Sequence, residues 1–323
     1  MSLLLQGYRL YWMTAPLKSD HNVEKQKETT TIGVTVKGSR STVSQNLKEV
    51  WKYRELLIGM VRKELKVKYK NSVLGFLWTM LNPALYTVIF WLVFTKFLPN
   101  GIPEFVVFFL SGLLVWNLFV NSLNGATGSI VNNAAIVKKV YFPREILPLA
   151  SVGASLVHYL LQLIVLVTSL LVFKHNLDWE YAWLMPLALL VVIIFSAACG
   201  IFLSAINVYA RDTQHLLELV LLAWFWATPI VYQFSVVSGR GGIVGHLFKL
   251  NPVTLLILPF QRAIYANTSV KATNSKNIID ILPIESPLWY LRNIAIVFVL
   301  SSVLFYLAMK VFDKAQGNFA EEL

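Results

Sequence analysis

Charged residues gather in short clusters along this 323-residue chain, and long stretches without Asp, Glu, Lys or Arg lie between them. These uncharged stretches are 71–95, 105–137, 146–173, 181–210, 219–239 and 293–309. A helix rises about 1.5 Å per residue, so roughly 20 residues cross a hydrocarbon core of about 30 Å. Five stretches exceed that length, and the last, with 17 residues, meets its lower limit. The pattern predicts six membrane-spanning helices, near 74–98, 105–123, 146–173, 183–207, 216–232 and 289–309. The expected fold class is all-α integral membrane.

The segments around the spans have patterns of their own. Residues 14–46 are rich in Thr, Ser, Lys and Gly and read as a disordered tail. Over 48–70 the period becomes helical. Val50, Trp51, Leu57, Ile58, Val61 and Leu65 form one stripe, and Lys52, Arg62, Lys63, Lys66 and Lys70 occupy the rest. That is an amphipathic interfacial helix feeding into a span. The organisation expected is a tail at 1–46, the interfacial helix at 47–73 and a six-span body at 74–323. Pro83 removes a backbone donor early in the first span and predicts a kink there. Ser196, Gly200 and Ser204 recur every four positions in the fourth span, a spacing that permits close helix approach. Residues 124–143 suit a short helix at the membrane surface. The long segment 233–288 holds a Gly-rich loop at 239–242 and apolar patches at 243–250 and 253–264. The patches are too short to cross but able to enter the membrane as re-entrant half-helices.

Composition supports the membrane reading: 56% of residues are apolar and 14% charged. If both termini are cytoplasmic, the inner segments carry 20 of the 28 Lys and Arg residues, as the positive-inside rule requires. The net charge of +11 therefore reads as topology and contact with anionic headgroups, with no folded basic module for nucleic acid. Cys199 is the single cysteine and lies within a span, so no disulfide framework exists.

Reaction chemistry is sparse. The nearest approach to a phosphate loop, Gly33 to Gly38, is followed by Ser39 where that motif needs lysine. No His, Cys and carboxylate spacing suggests a metal site, so no cofactor is expected in this chain. No carboxylate pair lies in a span, whereas ion-driven carriers place ionisable groups near the midplane. His158 is the one histidine well inside a span. It is either a relay or a neutral group bonded to a neighbouring helix. Aromatic residues remain: Tyr86, Phe90 and Phe94 share one face of the first span, and Trp224, Phe225, Trp226 and Tyr232 crowd the fifth. Such stripes pack helices, face lipid, or line a pore in which sugar rings slide on aromatic faces.

Several stretches in order resemble the permease subunit of type-2 ABC exporters, in the polysaccharide branch of Wzm-like and TagG-like proteins. They are ELKVKYKNSVLGFLWTMLNPALY (64–86), VKKVYFPREILPLASV (137–152), NVYARDTQHLLEL (207–219), FWATPIVY (225–232) and NPVTLLILPFQRAIY (251–265). The resemblance covers residues 48–323. It implies a homodimeric channel in a bacterial inner membrane, with two cytoplasmic ATPase subunits that hold ATP and Mg. It implies ATPase coupling through Lys138, Lys139, Tyr141, Phe142, Pro143, Arg144 and Glu145, with a second contact at Arg211 and Asp212. Lipid-diphosphate intake would fall to Arg62, Lys63, Lys66, Lys68 and Lys70 of the interfacial helix. Pore lining would fall to Tyr86, Phe90, Phe94, Trp224, Phe225 and Tyr232. The implied substrate is a polyprenyl-diphosphate-linked glycan such as O-antigen, teichoic acid or cell-wall galactan. An ABC exporter of small lipids or drugs, and a passive channel, are the alternatives.

Overall fold

The computed structural model describes residues 43–234, 250–266, 269–271 and 278–323. The expected tail up to residue 42, the 239–242 loop and most of the 243–250 patch lie outside the described residues. Among the described residues, five helices are long and apolar enough to cross a membrane: Leu77–Phe97, Phe105–Asn132, Ile146–Phe173, Trp179–Tyr209 and Pro287–Asn318. They correspond to expected spans one to four and six.

The interfacial segment is two helices, α1 (Val43–Lys52) and α2 (Arg54–Tyr69), rather than one. The break at Tyr53 takes Trp51 off the expected stripe, and its ring is exposed, while Val50 is buried. Helix α1 also begins inside the expected tail, because Asn46 donates to Asp313 near the chain's other end (2.7 Å). Helix α3 (Leu77–Leu92) runs through Pro83, whose carbonyl accepts from the Thr87 hydroxyl (2.6 Å). A π-helical turn, Val93–Phe97, extends it.

Helix α4 (Phe105–Asn132) forms the centre of the molecule and is buried on nearly every side. After a short turn of helix, α5 (Ala134–Val137), come α6 (Ile146–Phe173), α7 (Trp179–Ala182) and α8 (Leu184–Tyr209). Helices α6 and α8 flank α4, α2 lies on α6, and the long α11 (Pro287–Ala315) lies on α8. Helices α3 and α11 expose about half or more of their residues, and α6 opens only toward its C-terminal half. Small residues set the spacing. A side-chain carbon on Gly200 would come within 2.6 Å of the Ala126 methyl, so α4 and α8 meet at that glycine. Ser196 and Ser204 beside it are fully buried, as the four-residue repeat predicted.

The expected fifth span is a shorter helix, α9 (Thr213–Trp226), whose 14 residues extend about 21 Å. Thr228–Pro229 ends it, since proline and the residue before it both disfavour helix. The chain continues to Val231, whose carbonyl accepts from Asn100 beyond the end of α3 (3.1 Å). At its other end Gln214 lies against Gly128, near the C terminus of α4. Helix α10 (Pro252–Ile264) starts inside the bundle. Asn251 caps it by accepting from the Val253 amide (3.0 Å), and it also accepts from the Trp224 indole (3.0 Å). At its C-terminal end Tyr265 donates to the Pro103 carbonyl (2.9 Å). A two-stranded hairpin, β1 (Ser269–Lys271) with β2 (Ile278–Asp280), follows and is the one non-helical element among the described residues. A last turn of helix, α12 (Phe319–Glu322), closes the chain.

Candidate functional site

Polar and charged groups concentrate at the two ends of the bundle. At one end, called the basic end here, α1, α2, the α5–α6 turn and the C terminus of α11 are tied together. Asn46 donates to Asp313, Lys63 donates to the side-chain amide oxygen of Asn133, Arg144 donates to the Gln316 backbone carbonyl, and Tyr209 donates to the Ala315 backbone carbonyl (2.8 Å). A second apolar cluster lies beneath these bonds, with Phe142, Phe312 and Phe319 at its centre.

The turn 138–145 divides between surface and interior. Lys138, Lys139, Val140 and Tyr141 are exposed, and Tyr141 is 90% open. Phe142 and Glu145 are buried (5% and 2%), with Pro143 and Arg144 between. Phe142 and Glu145 therefore anchor the turn instead of standing on its surface. Burial raises the Glu145 pKa to about 7. Asp313 and Glu49 push it the same way, while its own backbone amide and Arg144 oppose. Loss of hydration lowers Arg144, with Glu145 and Tyr141 opposing. Arg211 and Asp212 are exposed at the same end, just before α9.

On α2, Arg62, Lys66 and Lys68 are exposed, as is Lys70 just after it, and Lys63 is half-buried against Asn133. Lys68 keeps open surface, yet crowding by the neighbouring protein removes enough water to lower its pKa.

At the far end, α7 and α10 are locked by charge. Arg262 donates to Asp178 (2.6 Å) and lies 3.9 Å over the Tyr181 ring. His175 bridges Glu104 and the Tyr265 carbonyl.

The aromatic stripe is first a packing seam. Phe90 stacks on Phe109 (4.9 Å) and Phe94, and touches Phe225 edge-on. Trp224 meets Phe119 (5.3 Å), and the Tyr232 hydroxyl donates to the Trp226 carbonyl (2.7 Å). Phe90, Phe94, Trp224, Phe225 and Tyr232 are all half-buried within one subunit. Only Tyr86 of the six expected lining residues has half its surface open.

Residues 55–265 match the ABC-2 type transporter family, a span that runs from α2 through α10. The chain belongs to that family. The transporter is also 32% identical over 277 residues to the O-antigen export system permease protein RfbA of Myxococcus xanthus, across 86% of this chain and 98% of that protein. It is 28% identical over 269 residues to the protein of the same name from Klebsiella pneumoniae, across 83% of this chain and 95% of that one.

Inside the transporter, His158 makes the bond to a neighbouring helix that one of its two expected roles calls for. Its Nδ1 is bonded to the Tyr69 hydroxyl of α2 (2.8 Å), and Tyr69 is bonded to Thr79 of α3. Sequence reasoning looked only for ionisable groups in the spans and passed over three amides. Asn82, Asn121 and Gln162 come from α3, α4 and α6. With Lys68, Tyr69, Thr79 and His158 they line a cavity of about 430 Å³. An uncharged amide inside an otherwise apolar run was the available signal.

Proposed function

We propose that this chain is the membrane-spanning subunit of an ATP-driven exporter of polyprenyl-diphosphate-linked polysaccharide, of the O-antigen, teichoic acid or cell-wall galactan kind. The observation that carries this reading is the likeness to an O-antigen export permease over 98% of that relative's length. Charge pattern and family agree with it. The uncharged stretches hold no Asp, Glu, Lys or Arg to couple an ion gradient, and the work comes from ATP and Mg in two separate cytoplasmic subunits.

The chain crosses the inner membrane six times, with both termini in the cytoplasm. Residues 213–232 make the fifth crossing, from Gln214 beside Gly128 to Val231 beside Asn100. The bond between Asn46 and Asp313 supports the shared side of the termini, and Lys138, Lys139, Arg144, Arg211, Lys310 and Lys314 make that side the cytoplasmic one. Two copies enclose the pathway. The open faces of α3 and α9, with Tyr86, Leu216, Val220 and Trp226 exposed, are apolar enough to meet a second copy. Lys138, Lys139, Tyr141, Arg211 and Asp212 dock the ATPase, and Phe142 and Glu145 hold that surface rigid from inside. Arg62, Lys66, Lys68 and Lys70 draw the anionic lipid diphosphate to the membrane surface by charge.

Deleting the gene in its native cell tests the reading. Surface polysaccharide disappears and its lipid-linked precursor accumulates; normal surface polysaccharide in the deletion strain refutes it. Replacing exposed Arg62 and Lys66 together by Ala, which spares the Lys63–Asn133 bond, lowers export without lowering protein level.

A further inference from the structure

The cavity between α2, α3, α4 and α6 has a chemistry that the packing of the bundle does not require. It holds three carboxamides, Asn82, Asn121 and Gln162, together with the Ser72 and Thr79 hydroxyls. Gln162 is 6% exposed, and its Oε1 has no hydrogen-bond partner. A buried acceptor left unpaired costs free energy unless something outside the chain supplies the donor. Trp78 stands at the rim with half its surface open. Among the described residues, Lys68 is the one charged lining residue and no carboxylate lines the space.

This set discriminates among ligands. A free phosphate or diphosphate would be met by several cations or backbone amides, and one lysine is a weak site for it. An acyl chain or apolar drug would leave the amides unpaired. Planar amides pair with neighbouring hydroxyls, an indole face packs on the C–H face of a sugar ring, and a single cation takes one phosphoryl group. Position agrees. Asn82 is the sixth residue of α3, about 8 Å along it from its start, and His158 is the thirteenth of α6, about 18 Å along it, so the cavity reaches from near the basic end to about the middle of the membrane. It sits beside the C terminus of α2, where Lys68 and Tyr69 face it.

We infer that this cavity binds a membrane-anchored sugar phosphate, with the sugar held by Asn82, Asn121, Gln162 and Trp78 and the adjoining phosphate by Lys68. The inference rests on the export reading above, and it assigns the recognised unit as the first sugar and phosphate next to the lipid, not the distal glycan. The transporter would then accept chains of different length and sequence that share this foot. Lys68 belongs to the expected intake residues; the three amides and Trp78 do not.

The test uses the full chain in lipid nanodiscs and a short-chain isoprenyl diphosphate carrying one N-acetylhexosamine as probe. Asn121→Leu and Gln162→Leu weaken probe binding about tenfold each, the scale of one or two lost hydrogen bonds. Lys68→Gln weakens the diphosphate probe but leaves an uncharged alkyl glycoside of the same sugar unchanged. In a Cys199→Ala background, Asn82→Cys alkylated with a bulky maleimide blocks the probe. Asn82 is exposed, so this variant keeps the test valid if a buried replacement fails to fold. Unchanged affinity in the alkylated protein overturns the assignment. Equal binding of phosphatidylinositol, in competition with the probe, also overturns it, because the cavity would then be a site for ordinary lipid headgroups. Loss of surface polysaccharide in the deletion strain with normal binding and export by the cavity variants removes this inference and leaves the export reading standing. Normal surface polysaccharide in the deletion strain removes both.

Discussion

Replacing Gly200 by alanine is a stringent test of the α4–α8 seam. The new methyl would lie 2.6 Å from the Ala126 methyl, whereas carbon atoms rest at roughly 3.5–4.0 Å. The helices must separate by about 1 Å, or the side chains must distort. Both are costly here because Ser196 and Ser204, one turn to either side, are fully buried. Overpacking of this kind costs about 1–3 kcal/mol. Alanine returns up to about 1 kcal/mol through better helix propensity. The net loss expected for Gly200→Ala is about 1–2 kcal/mol, read as a drop of a few degrees in thermal unfolding of the detergent-purified protein. Ala126→Gly alone also destabilises, since it removes a buried methyl and adds a helical glycine. The double variant exchanges the methyl from one helix to the other and recovers at least about 1 kcal/mol relative to the sum of the single changes. Stability of Gly200→Ala equal to the parent, or simple additivity in the double variant, refutes the close-contact reasoning.

Three further expectations concern the α10 cap and the basic end. Asn251→Ala removes the α10 cap together with the bonds to Trp224, Ala227 and Thr228, and should lower stability by about 2–4 kcal/mol in the same unfolding measurement. Glu145→Gln should change the pH dependence. The folded protein holds the Glu145 proton up to about pH 7, above its ordinary range, so ionisation costs stability as pH rises from about 5 to 8. The parent therefore loses up to about 3 kcal/mol relative to the Gln variant across that window, and parallel melting curves against pH would count against it. Tyr141→Ala changes an open side chain and should shift stability by no more than about 0.5 kcal/mol. Export in cells should nevertheless fall severalfold; unimpaired export removes Tyr141 from the docking surface.

Much of this architecture was legible because a bilayer excludes charge over a fixed distance. The uncharged stretches located the five long helices, and the Ser196, Gly200, Ser204 repeat located a close helix contact. Legibility failed where length and tertiary contact decide. The fifth uncharged run, 219–239, looks continuous, yet its helix stops at Trp226 because Thr228 and Pro229 follow. Nothing local marks the break at Tyr53. There α1 turns aside to pack Val50 and bond Asn46 against the end of α11, more than 260 residues away in sequence. The hairpin at 269–280 joins strands of three residues, too short for a periodic signal. For the aromatic stripe the sequence could not separate roles, because a packing seam and a pore wall both place rings on one face. The exposed cations of α2 and the exposed Tyr141 were readable from pattern and resemblance. The cavity was not, since Asn82, Asn121 and Gln162 lie on three helices and converge only in three dimensions.

Under the proposed function, this membrane subunit moves its substrate only with energy taken from a separate ATPase. Reconstituting the purified transporter in vesicles, with and without its ATPase subunits, and following a labelled lipid-linked glycan measures this directly. The expected result is ATP-dependent accumulation with both components and none with the transporter alone. Uphill accumulation by the transporter alone would contradict the account.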